Sequence, residues 1–168
     1  MLRTILRSGA PSLAVIALSS CLYTMSSGGG LPSHVKSVAV IPFENETASA
    51  ELTSELHLAL RKTLSSRLGL REAPETRASA IVRGTIIRYE TDVPVGFSAD
   101  PSRATSARRK LQLVVDVEIF DQTTGRPLFE RKGVTGEGEY AEREEAAGRK
   151  LAIDKVIETI VEGAQSQW

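Results

Sequence analysis

Leu111-Gln112-Leu113-Val114-Val115-Asp116-Val117-Glu118-Ile119-Phe120, followed by Asp121-Gln122-Thr123-Thr124-Gly125, decides the fold. Leu111, Leu113, Val115, Val117 and Ile119 share one parity; Gln112, Asp116 and Glu118 share the other, with Val114 and Phe120 among them. A period of two places the first set on one face of a half-buried strand. Asp121 to Gly125 then reads as a hairpin turn, opened by aspartate and closed by a glycine that accepts positive φ. The returning strand runs from about Arg126 to Gly138, where glycines at 133, 136 and 138 predict bulges or added twist.

Working upstream, Ala80 to Thr91 is a strand with apolar residues on both parities, separated from the first by a loop carrying Pro94, Gly96 and Pro101. Ser37 to Phe43 (Ser-Val-Ala-Val-Ile-Pro-Phe) is a near-continuous apolar run, which predicts a strand covered on both faces with Pro42 at its end. Glu44-Asn45-Glu46-Thr47 reads as a turn, and a helix spans about Ser49 to Arg67. Leu52, Leu56, Ala59, Leu60, Thr63 and Leu64 form its apolar stripe, with Thr47 or Ser49 as cap. Leu70-Arg71-Glu72 is a short edge strand. A second helix spans about Glu142 to Ala164, with Ala147, Leu151, Val156, Ile157, Ile160, Val161 and Ala164 as its stripe and Gly148 as an interruption.

This order predicts an α+β fold, an α/β sandwich: a four-stranded mixed sheet with two helices packed on one face. Two helices cover one side of such a sheet. The other side carries Gln112, Asp116 and Glu118 but also Val114 and Phe120, a pattern that fits a docked face slightly better than a solvated one.

The N-terminus has a separate purpose. Arg3 and Arg7 precede an apolar stretch that is clearest from Leu13 to Leu18, and small residues lead into Cys21, the single cysteine of the chain. This is the layout of a secretory signal. The apolar stretch is shorter than the ~20 residues a membrane-spanning helix requires, and one cysteine forms no internal disulfide. The boundaries are therefore 1–20 for the signal peptide, 21–34 for a Gly/Ser-rich flexible tether, and 35–168 for one folded domain. The chain has 21 basic and 21 acidic residues; without Arg3 and Arg7 the balance is 19 to 21. No global field draws it to nucleic acid.

Catalytic residues are not expected, nor a metal site or cofactor. His34 and His57 read as surface histidines, too few for zinc. Gly28, Gly29 and Gly30 lack the strand before and the Lys-Ser/Thr after that a phosphate loop needs. Glu142, Glu144 and Glu145 suit the N-terminal dipole of the second helix. The uneven feature is basic: Arg103, Arg108, Arg109 and Lys110 crowd the loop and start of the third strand with no acid between them, and Arg126, Arg131 and Lys132 lie on the fourth. Such a cluster binds phosphorylated or carboxylated lipid headgroups, or simply solvates a loop and protects an edge strand.

Taken together, Leu18-Ser19-Ser20-Cys21, the phrase from Leu31 to Thr47, the Leu52-to-Leu64 helix, Ala80-Ile81-Val82-Arg83-Gly84-Thr85-Ile86, the Asp121-to-Gly125 hairpin and Gly136-Glu137-Gly138-Glu139-Tyr140 resemble the LptE family of lipopolysaccharide-assembly lipoproteins. Leu22 departs from the glycine often found there. The resemblance implies acylation at Cys21, anchoring in the cell outer membrane, an LptD-like β-barrel as partner, which the protein plugs and helps assemble, and assistance in lipopolysaccharide transport. Arg103, Arg108, Arg109 and Lys110 are lipopolysaccharide-binding candidates on charge alone. An alternative resemblance, to LpoB-like lipoproteins that activate a periplasmic peptidoglycan synthase, rests on the Pro-Phe strand end, the Asn-containing turn and the following helix.

Overall fold

The computed structural model describes residues 31–93, 109–141 and 143–166. Its elements are β1 (Ser37–Val40), β2 (Glu44–Asn45), α1 (Glu51–Leu68), β3 (Arg71–Glu72), a 3-10 turn at Glu75–Arg77, β4 (Ala80–Val93), β5 (Arg109–Asp121), β6 (Arg126–Tyr140) and α2 (Glu145–Ser166). The sheet order is β3-β1-β4-β5-β6, with β2 also alongside β4. β1 is parallel to β3 and β4, whereas β4, β5 and β6 form an antiparallel meander. The sheet is mixed, as expected, and both helices lie on one face.

Six strands form where a four-stranded sheet was expected, and Pro42 is the physical cause of one of the two additions. Ile41 N–H still donates to Val82 O at 2.9 Å, but proline has no N–H to continue the ladder, so β1 stops at Val40. Pairing resumes at Glu44 and Asn45, against Thr85 and Ile86. Residues expected as a turn therefore form β2. The expected edge strand at Arg71 and Glu72 forms as β3.

The alternation in β5 is realised in full. Leu111, Leu113, Val115, Val117 and Ile119 are at most 3% exposed under the helices, and Gln112 to Phe120 on the other parity are half-buried. α1 seats Leu52, Leu56, Leu60 and Leu64 on the same core. Neither Thr47 nor Ser49 caps α1. Asn45 organises the approach instead: its Nδ2 donates to Ser49 O, and its Oδ1 accepts from Thr47 N and Oγ1.

The stripe expected on the first turns of α2 is rotated. Ala147 is exposed and Leu151 is 50% exposed; Gly148, Ala152 and Ile153 are buried in their place. The reason lies on β6. A Cβ placed on Gly136 would sit 2.0 Å from Ala152 O, and one on Gly138 would sit 1.9 Å from Gly148 O. The helix backbone rests directly on a strand with no side chains in the way. Gly148 is thus a contact surface, where the sequence suggested only an interruption. Gly133, at φ 66°, does mark the predicted irregularity: the β5–β6 register slips there, and its N–H donates to Asp116 Oδ1 at 2.7 Å.

Candidate functional site

β4, β5 and β6 place three charged and polar regions around one core. The first is the far end of the long strands. Arg109 lies 3.8 Å from Asp92, and Lys110 lies 2.5 Å from Glu137. The Lys110 ammonium holds the Glu137 carboxyl below its ordinary range. Sequence gave no sign of these partners, because Asp92 and Glu137 come from neighbouring strands through the pairings Val93↔Lys110 and Gln112↔Glu137. Arg103, Arg108 and Cys21 lie outside the described residues. The predicted basic cluster is thus represented by two cations, each already facing a carboxylate.

The second region is the sheet face away from the helices. Arg83 Nε donates to Glu118 Oε2 at 2.7 Å, and its guanidinium lies 5.5 Å from the centre of the Phe120 ring. Half-buried Ile81, Thr85 and Val114 lie between such charged groups. Near its middle a shallow concavity of ≈ 370 Å³ opens where the Ile41-Pro42 detour leaves β4 uncovered. Glu44 and Glu130 stand at its two sides, and Asp116 and Glu118 line it between them. Gly84 shares the core-facing parity of Ala80, Val82 and Ile86, and a Cβ there would meet Asp116 O at 2.1 Å and the buried Phe43 ring at 2.6 Å. Paired charges interspersed with apolar patches make a surface suited to contact with another polar surface.

The third region is the joint at the opposite end, below the Asp121 hairpin. His34 Nε2 meets Asp121 Oδ2 at 2.7 Å, and Asp121 is 1% exposed. Burial pushes the Asp121 carboxyl up. His34, Thr124 Oγ1 and the N–H groups of Thr123 and Thr124 outweigh burial and hold it at about 2. His34 is therefore the clasp between the segment that enters β1 and the β5–β6 hairpin. His57 also departs from the surface reading: burial lowers its pKa, with help from the Arg61 charge.

Between the helices, Arg149 donates to Glu55 at 2.9 and 3.1 Å and reaches Glu51 and Glu145. Its hydrogen bonds to Glu55 raise its pKa further. Tyr89 donates to Glu145 at 2.7 Å; burial, reinforced by that carboxylate, pushes the phenol up to about 12. This network locks α1 to α2. Among the described residues no three His, Cys, Asp or Glu side chains converge as a metal-ligand group. Among them, too, no helix is long and apolar enough to cross a membrane. The arrangement offers shape and paired charge.

Two solved structures show the same fold. The PelC dodecamer from Paraburkholderia phytofirmans is 17% identical, covers 78% of this chain and 91% of its own, and has a TM-score of 0.50. The hypothetical protein CT253 from Chlamydia trachomatis is 11% identical over 78% of this chain and 98% of its own, with a TM-score of 0.53. No curated protein sequence matches the chain. The family model described as LptE, lipopolysaccharide-assembly, matches residues 35–162, which spans β1 through nearly all of α2. The chain therefore belongs to the LptE family of lipopolysaccharide-assembly proteins.

Proposed function

We propose that this protein is an outer-membrane lipoprotein that plugs an LptD-like β-barrel, supports its assembly and assists lipopolysaccharide transport to the outer leaflet. The observation that carries this reading is the family match over residues 35–162. Residues 1–20 direct export, Cys21 receives acyl chains, residues 21–34 form the tether and residues 35–168 form the plug. Two or more acyl chains give stable anchoring at ~0.8 kcal/mol per buried methylene.

The sheet face away from the helices supports the reading. Its Arg83–Glu118 and Lys110–Glu137 pairs and its half-buried Val114 and Phe120 suit the polar interior wall of a barrel. The plug works by fit and charge, with no catalytic group and no cofactor. In this reading Arg103, Arg108, Arg109 and Lys110 receive the anionic phosphates of lipopolysaccharide. Arg109 and Lys110 would exchange Asp92 and Glu137 for the ligand. The test is affinity purification of the full chain from outer membranes. A large β-barrel is expected in stoichiometric amount; recovery of a free monomer alone would overturn the proposal.

A further inference from the structure

The sheet ends differently at its two edges. β3, at one edge, is 2 residues long; β6, at the other, is 15, and among the described residues only β5 pairs with it. An edge strand leaves every second N–H and C=O without a partner. The hydrogen bonds of the ladder show which residues carry them. Val82 O accepts from Ile41 N, and Ile86 O accepts from Glu46 N, so Val82 and Ile86 turn their backbone groups away from β5. Opposite residues of an antiparallel pair either bond each other or both turn away. Ile119 and Val115, opposite Val82 and Ile86, therefore turn theirs toward β6. Val115 meets Val134, and alternation gives Gly136 the same direction, inward to β5. Thr135 and Glu137 point outward. Both are exposed, and their N–H and C=O groups have no partner among the described residues.

The hairpin half of β6 is blunted: Pro127 lacks an N–H, Lys132 is charged, and the register slips at Gly133. From Val134 to Gly138 there is no proline, lysine or bulge. Two donors and two acceptors stand there on alternate residues, ~6.8 Å apart. They match the backbone of an extended polypeptide, which presents the same alternation. Leu151 of α2 is 50% exposed and lines a concavity of ≈ 520 Å³ with Glu137, so a strand laid along this edge would also cover an apolar side chain. A second copy of the chain fits poorly. The self-pairing that satisfies both residues sets Thr135 against Glu137 in each direction, which makes the two Glu137 carboxylates diagonal neighbours.

We infer that the Thr135–Glu137 edge of β6 takes up an extended segment of the barrel partner as an added strand. The segment is one that turns into the lumen, because the strands of a closed wall have no free edge to offer. This rests on the barrel-plug reading and says where the plug grips its partner. A strand added in the plane of the sheet keeps the domain inside the lumen and leaves the face away from the helices free to lie against the wall.

The experiment is amide hydrogen exchange, read residue by residue, on the full chain alone and on the full chain purified with the barrel. Alone, Thr135 and Glu137 should exchange about a hundredfold faster than Val134 and Gly136, whose N–H groups bond within the ladder. In the complex they should slow by about the same factor. Thr135→Pro removes an outward N–H that takes no part in the β5–β6 ladder. It should recover about tenfold less barrel than Thr135→Val at an unchanged urea midpoint. If Thr135→Pro does not fold, the exchange measurement decides by itself. A barrel recovered with Thr135 and Glu137 still exchanging as in the free chain would overturn this inference and leave the plug reading standing; recovery of no barrel would overturn both. Slow exchange of these amides already in the free chain, or equal barrel recovery with proline and valine, would overturn the inference as well.

Discussion

The two helices cover the same sheet by different means. α1 stands on four leucines, Leu52, Leu56, Leu60 and Leu64, each at most 1% exposed. Their side chains fill the space between helix and strands. α2 instead lays its backbone onto β6, where Gly136 and Gly138 sit under Ala152 O and Gly148 O. Gly163 does the reverse lower down, leaving room on the helix for the Phe129 ring of the strand. One half of the molecule is held by side-chain volume; in the other, the buried Ile153, Val156, Ile157, Ile160 and Val161 add volume to a backbone contact that α1 lacks. The halves should therefore fail differently: volume can be reduced with partial relaxation, whereas a backbone contact has no rotamer through which to give way.

The largest effect expected from a single change follows. Gly138→Ala puts a methyl group 1.9 Å from Gly148 O, so helix and strand must separate. Urea unfolding should show a loss of about 4 kcal/mol or more, beyond ordinary overpacking. A loss below about 1 kcal/mol would mean that α2 does not rest on β6 as described. Leu60→Ala tests the other half. Leu60 is 0% exposed, and truncating such a leucine typically costs ~2–5 kcal/mol through lost burial and the cavity left behind. About 3 kcal/mol is expected, with a cooperative transition retained. If Leu60→Ala proved the more damaging of the two, the contrast between the halves would be reversed.

A third prediction concerns the joint between them. His34 leads into β1 on the α1 side; Asp121 ends β5 on the α2 side. The Asp121 carboxyl titrates at about 2 in the folded chain and near 4 when unfolded. A depressed folded value contributes stability that is present above the unfolded pKa and lost as pH falls through the folded one. Between about pH 4 and pH 2 the protein should lose about 2 kcal/mol through this group. Asp121→Asn should be less stable at neutral pH and flatter across that interval in the same urea titrations. Parallel curves for the two proteins would show that the clasp does not hold the halves together.

The sequence made one half legible and concealed the other for the same reason. Leucines at four-residue spacing carry a periodic signal, and so does the apolar alternation from Leu111 to Ile119; both stand where the pattern put them. A close approach of backbones leaves no side chain to count, so Gly148 looked like a defect. The candidate site was hidden in a second way. Arg109 and Lys110 have no acid beside them in the chain, yet register brings Asp92 and Glu137 within 4 Å. Charge runs along a sequence describe neighbours in the chain, whereas pairing in a sheet is set by neighbours across it. The Asp121 clasp was concealed likewise, since its histidine lies 87 residues away.

The smallest expected effect is the sharpest test of how α2 sits. The helical pattern alone places Leu151 on the apolar stripe with Val156 and Ile160. Were that so, Leu151→Ala would cost as much as Leu60→Ala. The structure turns the first turns of α2 so that Gly148 and Ala152 face β6, which leaves Leu151 half in solvent. Removing it should change stability by no more than about 0.5 kcal/mol, the usual range for a surface substitution. Measured beside Leu60→Ala in the same urea series, the pair compares a leucine fully buried on α1 with one half exposed on α2. A near-zero value for Leu151 and a large one for Leu60 would mean that, in the first turns of α2, the close approach to Gly136 and Gly138 sets which face is buried and leaves Leu151 outside it.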